Sequence, residues 1–327
     1  MNRRNFIIGA SAGLGTFRPG SKTLNAAVAT QAIARSSHST GHSTERTYRV
    51  LGVPLRTGSL YPGNENDAEA YRDAKLLTRL QAAGCNAVDD GNVAIPSYIP
   101  HHSIPPIRSW PGPRIAWDLV TERVAPLLQQ PGQVPLLIGC DCSVVVGTAQ
   151  ALRRASAGDL HVIYVDGDFD DASPDPEHCQ SAASLAVWLL TNSSPFCGSA
   201  LRPSQVTVMA WSNPSRSNQT GIGSVPLTEV RRLGPREAAQ QALAAIPESS
   251  PVLLHLDVDV FQKQEMPSAY FPHAEGLSLS EGRALLGVLL KDPRVRIIEL
   301  SEYATLRDLD HRWINQLVDL LAEGLKV

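Results

Sequence analysis

Short apolar runs of four to six residues alternate with longer amphipathic runs along most of this chain. The short runs have the pattern of buried strands, and the longer runs place apolar side chains at helical spacing. This alternation predicts an α/β fold with a mainly parallel sheet between two layers of helices. The predicted strands span 48–53, 86–89, 135–138, 161–165, 205–210, 252–256 and 296–300. The predicted helices span 67–83, 114–129, 144–155, 235–245, 280–291 and 311–325.

Three acidic residues follow the predicted strand 161–165. Asp166, Asp168 and Asp170 occupy alternate positions, so they would point to one face if extended geometry continued. Carboxylates this close raise one another's pKa unless a cation lies between them. The pattern therefore predicts a divalent metal ion.

A second acidic pair, Asp257 and Asp259, follows the predicted strand 252–256. Because ligand sites in parallel sheets lie at the carboxyl ends of strands, both acidic groups are expected at one edge of the sheet. Each group alone has another interpretation, an aspartate that caps a helix or fixes a turn. The two groups together favour a shared ligand site.

A third polar run, Gly139-Cys140-Asp141-Cys142-Ser143, follows the predicted strand 135–138. The three runs, in this order, resemble the arginase and agmatinase (ureohydrolase) family, whose motifs read Gly-Gly-Asp-His-Ser, Asp-Ala-His-x-Asp and Ser-x-Asp-x-Asp. The resemblance extends from about Thr47 onward. It implies an arginase-like metallohydrolase domain over 47–327, three-layered α-β-α, with a pair of manganese ions.

The histidines of the first two motifs are both replaced in this chain. Cys142 stands where the first motif has histidine, and Asp168 stands where the second motif has histidine. Carried over residue by residue, the resemblance implies a metal shell without histidine. This shell consists of Cys142, Asp166, Asp168, Asp170, Asp257 and Asp259.

The two replacements alter the charge and the softness of the shell. An ionised thiolate at Cys142 and a carboxylate at Asp168 add two negative charges, which reduce the Lewis acidity of a bound metal. Manganese is the metal that the resemblance implies, as one or two ions, whereas the thiolate would favour zinc or iron. We expect either one tight and one weak metal position or a protonated Cys142 or Asp168.

Further polar residues lie near these motifs. Glu302 lies in a segment resembling the one whose glutamate holds the substrate's guanidinium group, a contact that can be charge-assisted and bidentate. Its other interpretation is a helix cap or a surface ion pair.

His178 follows the second motif and is a candidate for substrate contact or proton transfer. His255 is expected to be a core histidine bonded to backbone, with orientation of an aspartate as the alternative. His101 and His102 lie in a proline-rich loop and are expected to be solvated.

The charge balance is near neutral, with 29 Lys and Arg residues against 32 Asp and Glu residues. It gives no electrostatic reason to expect nucleic acid or an anionic membrane as a partner. The family resemblance implies a small-molecule guanidino or amine substrate. It also implies a homo-oligomer, either a trimer or a hexamer.

The N-terminal segment resembles a twin-arginine export signal. Arg3 and Arg4 precede Phe6 and a weakly apolar, glycine-rich stretch, and Ala27-Val28-Ala29 resembles a cleavage site. The pattern predicts a signal peptide over 1–29, a disordered lead-in over 30–46 and export to the periplasm. A cytoplasmic tail with an accidental arginine pair is the alternative.

Two functions remain open from the sequence. The first is hydrolysis of a linear C–N bond in a guanidino or amidine compound by metal-bound hydroxide, as the resemblance implies. The second is a catalytically degenerate member of the fold with a binding or structural role. Replacement of both ligand histidines favours the second function, whereas the family aspartates and Glu302 favour the first.

Overall fold

The structure, a computed structural model, describes residues 46–60, 66–99, 102–156, 159–198, 200–212 and 221–326. The expected signal peptide and, apart from Arg46, the lead-in lie outside the described residues, as does His101.

The described strands form one sheet of eight strands, all parallel, in the order β2-β1-β3-β8-β7-β4-β5-β6. Their bounds are β1 (Thr47–Gly52), β2 (Asn86–Asn92), β3 (Gln133–Cys140), β4 (His161–Val165), β5 (Val206–Met209), β6 (Gly223–Val225), β7 (Val252–Asp257) and β8 (Val295–Ser301). Every residue of β4 and β7 is buried, because helices cover both faces of a parallel sheet.

The helices lie on the two faces of this sheet. Their bounds are α1 (Asp67–Asp73), α2 (Leu76–Ala82), α3 (Gly112–Leu128), α4 (Val145–Ala155), α5 (Ala186–Thr191), α6 (Leu227–Leu233), α7 (Pro235–Ala244), α8 (Leu279–Leu289) and α9 (Arg312–Leu325). Along β4, Ile163 and Val165 join the core with α1, α2 and α6–α9, whereas Val162 and Tyr164 join the core with α3–α5. This alternation confirms the three-layer α-β-α architecture.

The structure differs from the predicted elements in a few places. The helix predicted over 67–83 is broken into α1 and α2 at Lys75, whose φ of 61° is left-handed and cannot continue a helix. The short elements α5, α6 and β6 were not predicted, because three to seven residues carry too little periodicity to detect. The remaining strands and helices agree with the predicted bounds to within three residues.

The sheet order brings the three polar motifs together. β3, β8, β7 and β4 are consecutive neighbours at the centre of the sheet, and all run in the same direction. The residues that follow these four strands therefore meet at one edge. Gly139 allows this packing near the end of β3, because its φ is +75° and a Cβ there would lie 2.4 Å from the backbone nitrogen of Ala68. In the described part of the chain, no helix has both the length and the apolar character needed to cross a bilayer.

Candidate metal centre

A cavity of about 270 Å³ lies at this edge of the sheet. All six predicted metal ligands and Glu302 line it. The lining set is Leu60, Cys142, Asp166, Asp168, Asp170, Cys179, Gln180, Ser181, Ala183, Ser184, Asp257, Asp259, Phe271 and Glu302. The structure thus brings together side chains that are up to 242 positions apart in the sequence, Leu60 and Glu302.

The aspartates after β4 converge by a turn and not by continued extension. β4 ends at Val165, and Asp166 Oδ1 accepts a hydrogen bond from the backbone N–H of Asp168 over 2.6 Å. Asp170 has a φ of +49°, and its Oδ2 accepts a hydrogen bond from the Tyr164 hydroxyl over 2.7 Å. All three carboxylates line the cavity because of this turn, since the extended geometry on which the expectation depended ends at Val165.

The two aspartates at the end of β7 face the cavity and also hold backbone N–H groups in place. Asp257 Oδ1 accepts from the N–H of Asp259 over 2.7 Å, which caps the short helix Val258–Val260. Asp259 Oδ1 in turn accepts from the N–H of Gly167 over 3.1 Å, and this bond ties the two acidic loops together. Capping and cluster formation are therefore compatible here.

Asp141 in the first motif has a positioning role. It is fully buried and accepts hydrogen bonds from the Ser143 N–H at 2.9 Å and from the Gly58 N–H at 3.0 Å. These bonds fasten the loop after β1 to the loop after β3. They also place Cys142 at the start of a short helix that faces the acidic cluster.

Cys142 is held inside the cluster as a thiol. Its Sγ donates to Asp257 Oδ2 over 2.6 Å and lies 3.2 Å from Ser301 Oγ. Burial raises the pKa of Cys142 well above its usual value, and the carboxylates of Asp257 and Asp166 raise it further. Without a metal, the thiol keeps its proton.

The carboxylates repel one another inside a buried space. Burial is the main cause that raises the pKa of Asp166 well above its ordinary value, and Asp259 and Asp257 add to it. Burial likewise raises the pKa of Asp257, followed by the charges of Asp259 and Glu302. Asp166 Oδ2 is buried without a hydrogen-bond partner among the described residues. Such a crowded set of oxygen donors fits a divalent cation.

Glu302 follows β8 and is held in an uncommon backbone conformation, with a φ of +59°. Its Oε2 lies 3.4 Å from an Arg56 guanidinium nitrogen, whereas its buried Oε1 has no hydrogen-bond partner among the described residues. Arg56 is 1% exposed and stacks 3.1 Å above the ring of Tyr270. Burial raises the pKa of Glu302 to about 8, although Arg56 opposes the rise.

Two histidines outside the expected shell lie against the cluster. His255 is completely buried, with Nδ1 3.0 Å from Glu299 Oε2 and Nε2 3.2 Å from Ser301 Oγ. The expectation of a histidine bonded to backbone was therefore wrong, because both ring nitrogens contact side chains. His273 lies between Asp168 and Asp259, whose carboxylates raise the pKa of its imidazole to about 10.

Sequence reasoning gave no role to Arg56, Glu299, Ser301 or His273. The first lies in the loop after β1, the next two lie in β8, and His273 lies in an irregular segment between β7 and α8. The alternation of side chains along β7 and β8 would have been the only sequence signal for these residues. It pairs Glu299 with His255, because the two are register partners in adjacent strands.

The structure does not bring His178 to the cavity. Its side chain is 75% exposed, and Nδ1 lies 2.7 Å from Asp175 Oδ2. The residues that follow it, Cys179 and Gln180, line the cavity instead. His102 is exposed, as expected for a loop histidine.

Comparisons with known proteins point to one family. The model described as the arginase family matches residues 46–324. The arginase of Neurospora crassa is 25% identical over 264 residues, which cover 73% of this chain and 73% of that protein. The arginase of Staphylococcus aureus (strain COL) is 21% identical over 287 residues, 83% of this chain and 94% of that protein.

Solved structures share the fold. Arginase from Bacillus caldovelox superposes with a TM-score of 0.72 at 20% identity, covering 86% of this chain and 99% of that chain. Formiminoglutamase from Trypanosoma cruzi, solved with Mn²⁺, superposes with a TM-score of 0.68 at 20% identity, covering 86% of this chain and 93% of that chain.

Proposed function

The chain belongs to the arginase family, and on this basis we propose that it is a metal-dependent hydrolase of a linear C–N bond in a small guanidino or amidine compound. The observation that carries the proposal is the convergence of Cys142, five aspartates and Glu302 on one cavity at the carboxyl edge of the sheet.

The donor set fits one or two divalent metal ions. Asp166, Asp257 and Asp259 offer oxygen atoms that lie within 4.8 Å of one another, and Asp166 Oδ2 is buried without a hydrogen-bond partner among the described residues. When bound, a divalent metal would lower the pKa of a water molecule and polarise the substrate. Manganese suits the carboxylates, and Cys142 makes zinc or iron the alternative.

The electrostatics of the cavity support a cationic substrate. Six of its described lining residues are aspartate or glutamate, and none of the described lining residues is lysine or arginine. Arg56 contacts Glu302 Oε2 from outside this lining, while Oε1 is without a hydrogen-bond partner in the described part of the chain. Glu302 would orient the guanidinium or amine through Oε1, because a carboxylate binds such a cation by charge-assisted hydrogen bonds.

The remaining wall of the cavity would hold the rest of the substrate. Gln180, Ser181 and Ser184 offer neutral hydrogen-bonding groups, and Leu60 and Phe271 offer apolar contact. A cavity of about 270 Å³ suits a small molecule and not a polymer.

A non-catalytic binding role is the second candidate, and one contact favours it. The guanidinium group of Arg56 already contacts Glu302, the carboxylate assigned to a substrate's guanidinium group. In that case the chain would keep the fold and the acidic cluster but would not turn over a guanidino compound.

One experiment tests the proposal. The full chain, loaded separately with manganese and zinc, is assayed for urea and ammonia release from a panel of guanidino and amidine compounds. We expect release by the wild type and none by Asp257→Asn, with Asp319→Asn as the control because Asp319 is a surface residue of α9. If the wild type binds metal but releases neither urea nor ammonia from any compound, the hydrolase proposal is wrong and the non-catalytic binding role is favoured.

A further inference from the structure

The shell carried over from the acidic motifs contains no imidazole, yet His255 in β7 and His273 in the loop after it lie against that shell. On the basis of the metal-dependent function proposed above, we propose that each histidine is a ligand at one of two divalent-metal positions. The two imidazoles missing from the motifs are thus supplied from elsewhere in the chain.

The first position consists of three buried side chains, His255, Cys142 and Asp166. One donor atom of each lies within 4.8 Å of the donor atoms of the other two. Imidazole, thiolate and carboxylate together form a set typical of zinc. Asp166 also supplies a buried oxygen without a hydrogen-bond partner among the described residues, which indicates that a cation completes the site.

His255 is oriented as a ligand would be. Its Nδ1 lies 3.0 Å from Glu299 Oε2, so one ring nitrogen contacts a carboxylate and the other, Nε2, is on the side of the cluster. Nε2 lies 3.2 Å from Ser301 Oγ, which lies 3.2 Å from Cys142 Sγ, so this side of the ring faces the thiol. The ring also stacks on Tyr164, with centroids 4.2 Å apart. Metal-binding histidines characteristically direct their other N–H at a carboxylate in this way.

The second position consists of His273, Asp168 and Asp259. Nε2 of His273 lies 3.4 Å from Asp168 Oδ2 and 3.5 Å from Asp259 Oδ2. These separations exceed the usual N–H···O range of about 2.7–3.2 Å. They match the distance of roughly 3.4 Å between two donors on a tetrahedral metal whose bonds are about 2.1 Å long.

Gly167 provides the space through which His273 reaches this position. A Cβ at Gly167 would lie 2.6 Å from His273 Cδ2, 2.8 Å from the Asp259 backbone carbonyl oxygen and 3.0 Å from Asp259 Oδ1. The family motif Asp-Ala-His-x-Asp has alanine at this position. The chain therefore lacks the motif's methyl group at Gly167 and its histidine at Asp168, in the same place where His273 enters.

The two positions are connected by shared carboxylates. Asp166, Asp257 and Asp259 form a third set of donors within 4.8 Å of one another. Asp166 belongs also to the first position and Asp259 to the second. The third set of carboxylates would therefore lie beside both positions, and each position would have one imidazole.

The first test is calorimetric titration of the metal-depleted full chain with zinc and with manganese. His273→Ala should lower the metal affinity of one position by at least about 100-fold. Loss of a residue that only orients a ligand usually lowers metal affinity by about 10- to 100-fold. The control, His102→Ala, should have no effect because His102 is exposed in a loop. If His273 were only a counter-ion to the carboxylates, its removal would raise metal affinity, and that result would overturn the assignment.

A matched pair of glycine variants tests the same position without removing the imidazole. Gly167→Ala should displace the His273 ring, together with the Asp259 backbone, and weaken one metal position. Gly287→Ala, in α8, has nothing within 4 Å of the added Cβ and should bind both metals as the wild type does. Equal affinities in the two variants would count against His273 as a ligand.

His255 is tested in the wild-type protein, because a substitution at this buried position threatens folding. In protein loaded with cadmium-113, proton–cadmium correlation spectra report couplings transmitted through ligand bonds. One cadmium resonance should couple to the β-protons of Cys142 and to a histidine ring, and the second to a histidine ring alone. Two bound cadmium ions without any histidine coupling would overturn this inference and leave the hydrolase proposal intact, whereas a wild type that binds no divalent metal would overturn both.

Discussion

Cys142 Sγ donates a hydrogen bond to Asp257 Oδ2 over 2.6 Å, so the residue that replaces the first motif's histidine is bonded directly to a residue of the third motif. Both side chains are at least 98% buried, and burial raises the pKa of both groups. If Cys142 is a ligand of a divalent cation, binding of that cation would release the thiol proton. Metal affinity should therefore depend on Cys142 in a way that separates soft metals from hard ones.

Cys142→Ser should lower zinc affinity by at least about tenfold, as changes around a metal site commonly do, and should change manganese affinity much less. The reason is that a hydroxyl is a poor ligand for zinc, whereas manganese is held mainly by carboxylates. Competition titrations with a chromophoric chelator measure both constants. Cys140→Ser is the matched control, since the Cys140 thiol lies two residues away and bonds to the Leu300 carbonyl. An equal loss for both metals would contradict a direct bond from Cys142 to zinc.

The metal-free protein should become more stable when a carboxylate of the cluster is neutralised. Asp166→Asn removes an ionisable group whose pKa is raised by burial and by the neighbouring Asp259 and Asp257, so we expect a higher free energy of unfolding at pH 7. The free energy of unfolding, from urea titration in the presence of chelator, measures the gain. Asp159→Asn serves as the control, because Arg202 lowers the pKa of that exposed carboxylate and its loss should not stabilise the protein.

The same cluster sets the pH dependence of the metal-free protein. Asp166, Asp257 and Glu302 have raised pKa values in the folded state, so these three groups bind more protons in the folded protein than in the unfolded chain. Their stabilising effect is complete below the ordinary carboxyl pKa of about 4 and is lost as the pH rises through the folded values, which for Glu302 is about 8. Unfolding free energies measured from pH 4.5 to 8 should fall for the metal-free wild type and fall less for Asp166→Asn. A stability that rises across this range would mean that the carboxylates are not crowded in solution.

Much of the site was predictable because it follows from strand ends. A parallel sheet places the residues after its central strands at one edge, and Cys142, Asp166 and Asp257 were each found at the end of an apolar run. The backbone conformations of Asp170 and Glu302 could not be predicted, because the hydrophobic pattern does not indicate which residues adopt a left-handed conformation. The tertiary structure imposes those conformations.

The histidines illustrate the second limit. His178 followed an acidic motif closely but is exposed, whereas His273 lies 105 positions after Asp168 and lies 3.4 Å from it. Proximity in sequence is a poor guide when loops from different strands converge on one site. Only His255 carried a usable signal, since its position in β7 fixes Glu299 as its neighbour in β8.

The left-handed backbone conformation of Glu302 should reduce the stability of the folded protein by a measurable amount. Glu302→Ala and Glu302→Gly both remove the carboxylate that contacts Arg56, but only glycine adopts a φ of +59° without steric cost. We expect the glycine variant to be more stable than the alanine variant by about 1 kcal/mol. Thermal and urea unfolding of the two metal-free variants measure the difference, and an alanine variant of equal or greater stability would show that the position is unstrained.

The proposed export can be checked on the native protein. Replacing Arg3 and Arg4 with lysine should retain the precursor inside the cell, since the arginine pair is the part of the address read by a receptor. Cell fractionation and N-terminal sequencing measure the outcome, and the mature chain is expected to begin after Ala29. Native cytoplasmic protein that still begins at Met1 would contradict the proposal.

The last prediction concerns the two replaced motif histidines. The variant carrying both Cys142→His and Asp168→His removes two groups that can bear negative charge, so manganese should keep more of its Lewis acidity. We expect a higher manganese affinity and a lower pH for half-maximal activity than in the wild type, because the water in the site would ionise more easily. pH–rate profiles on several guanidino compounds, together with calorimetric manganese titrations, measure both effects. An unchanged pH midpoint and an unchanged affinity would show that these positions do not touch the metal, and a silent wild type whose double variant releases urea would favour the binding role over catalysis.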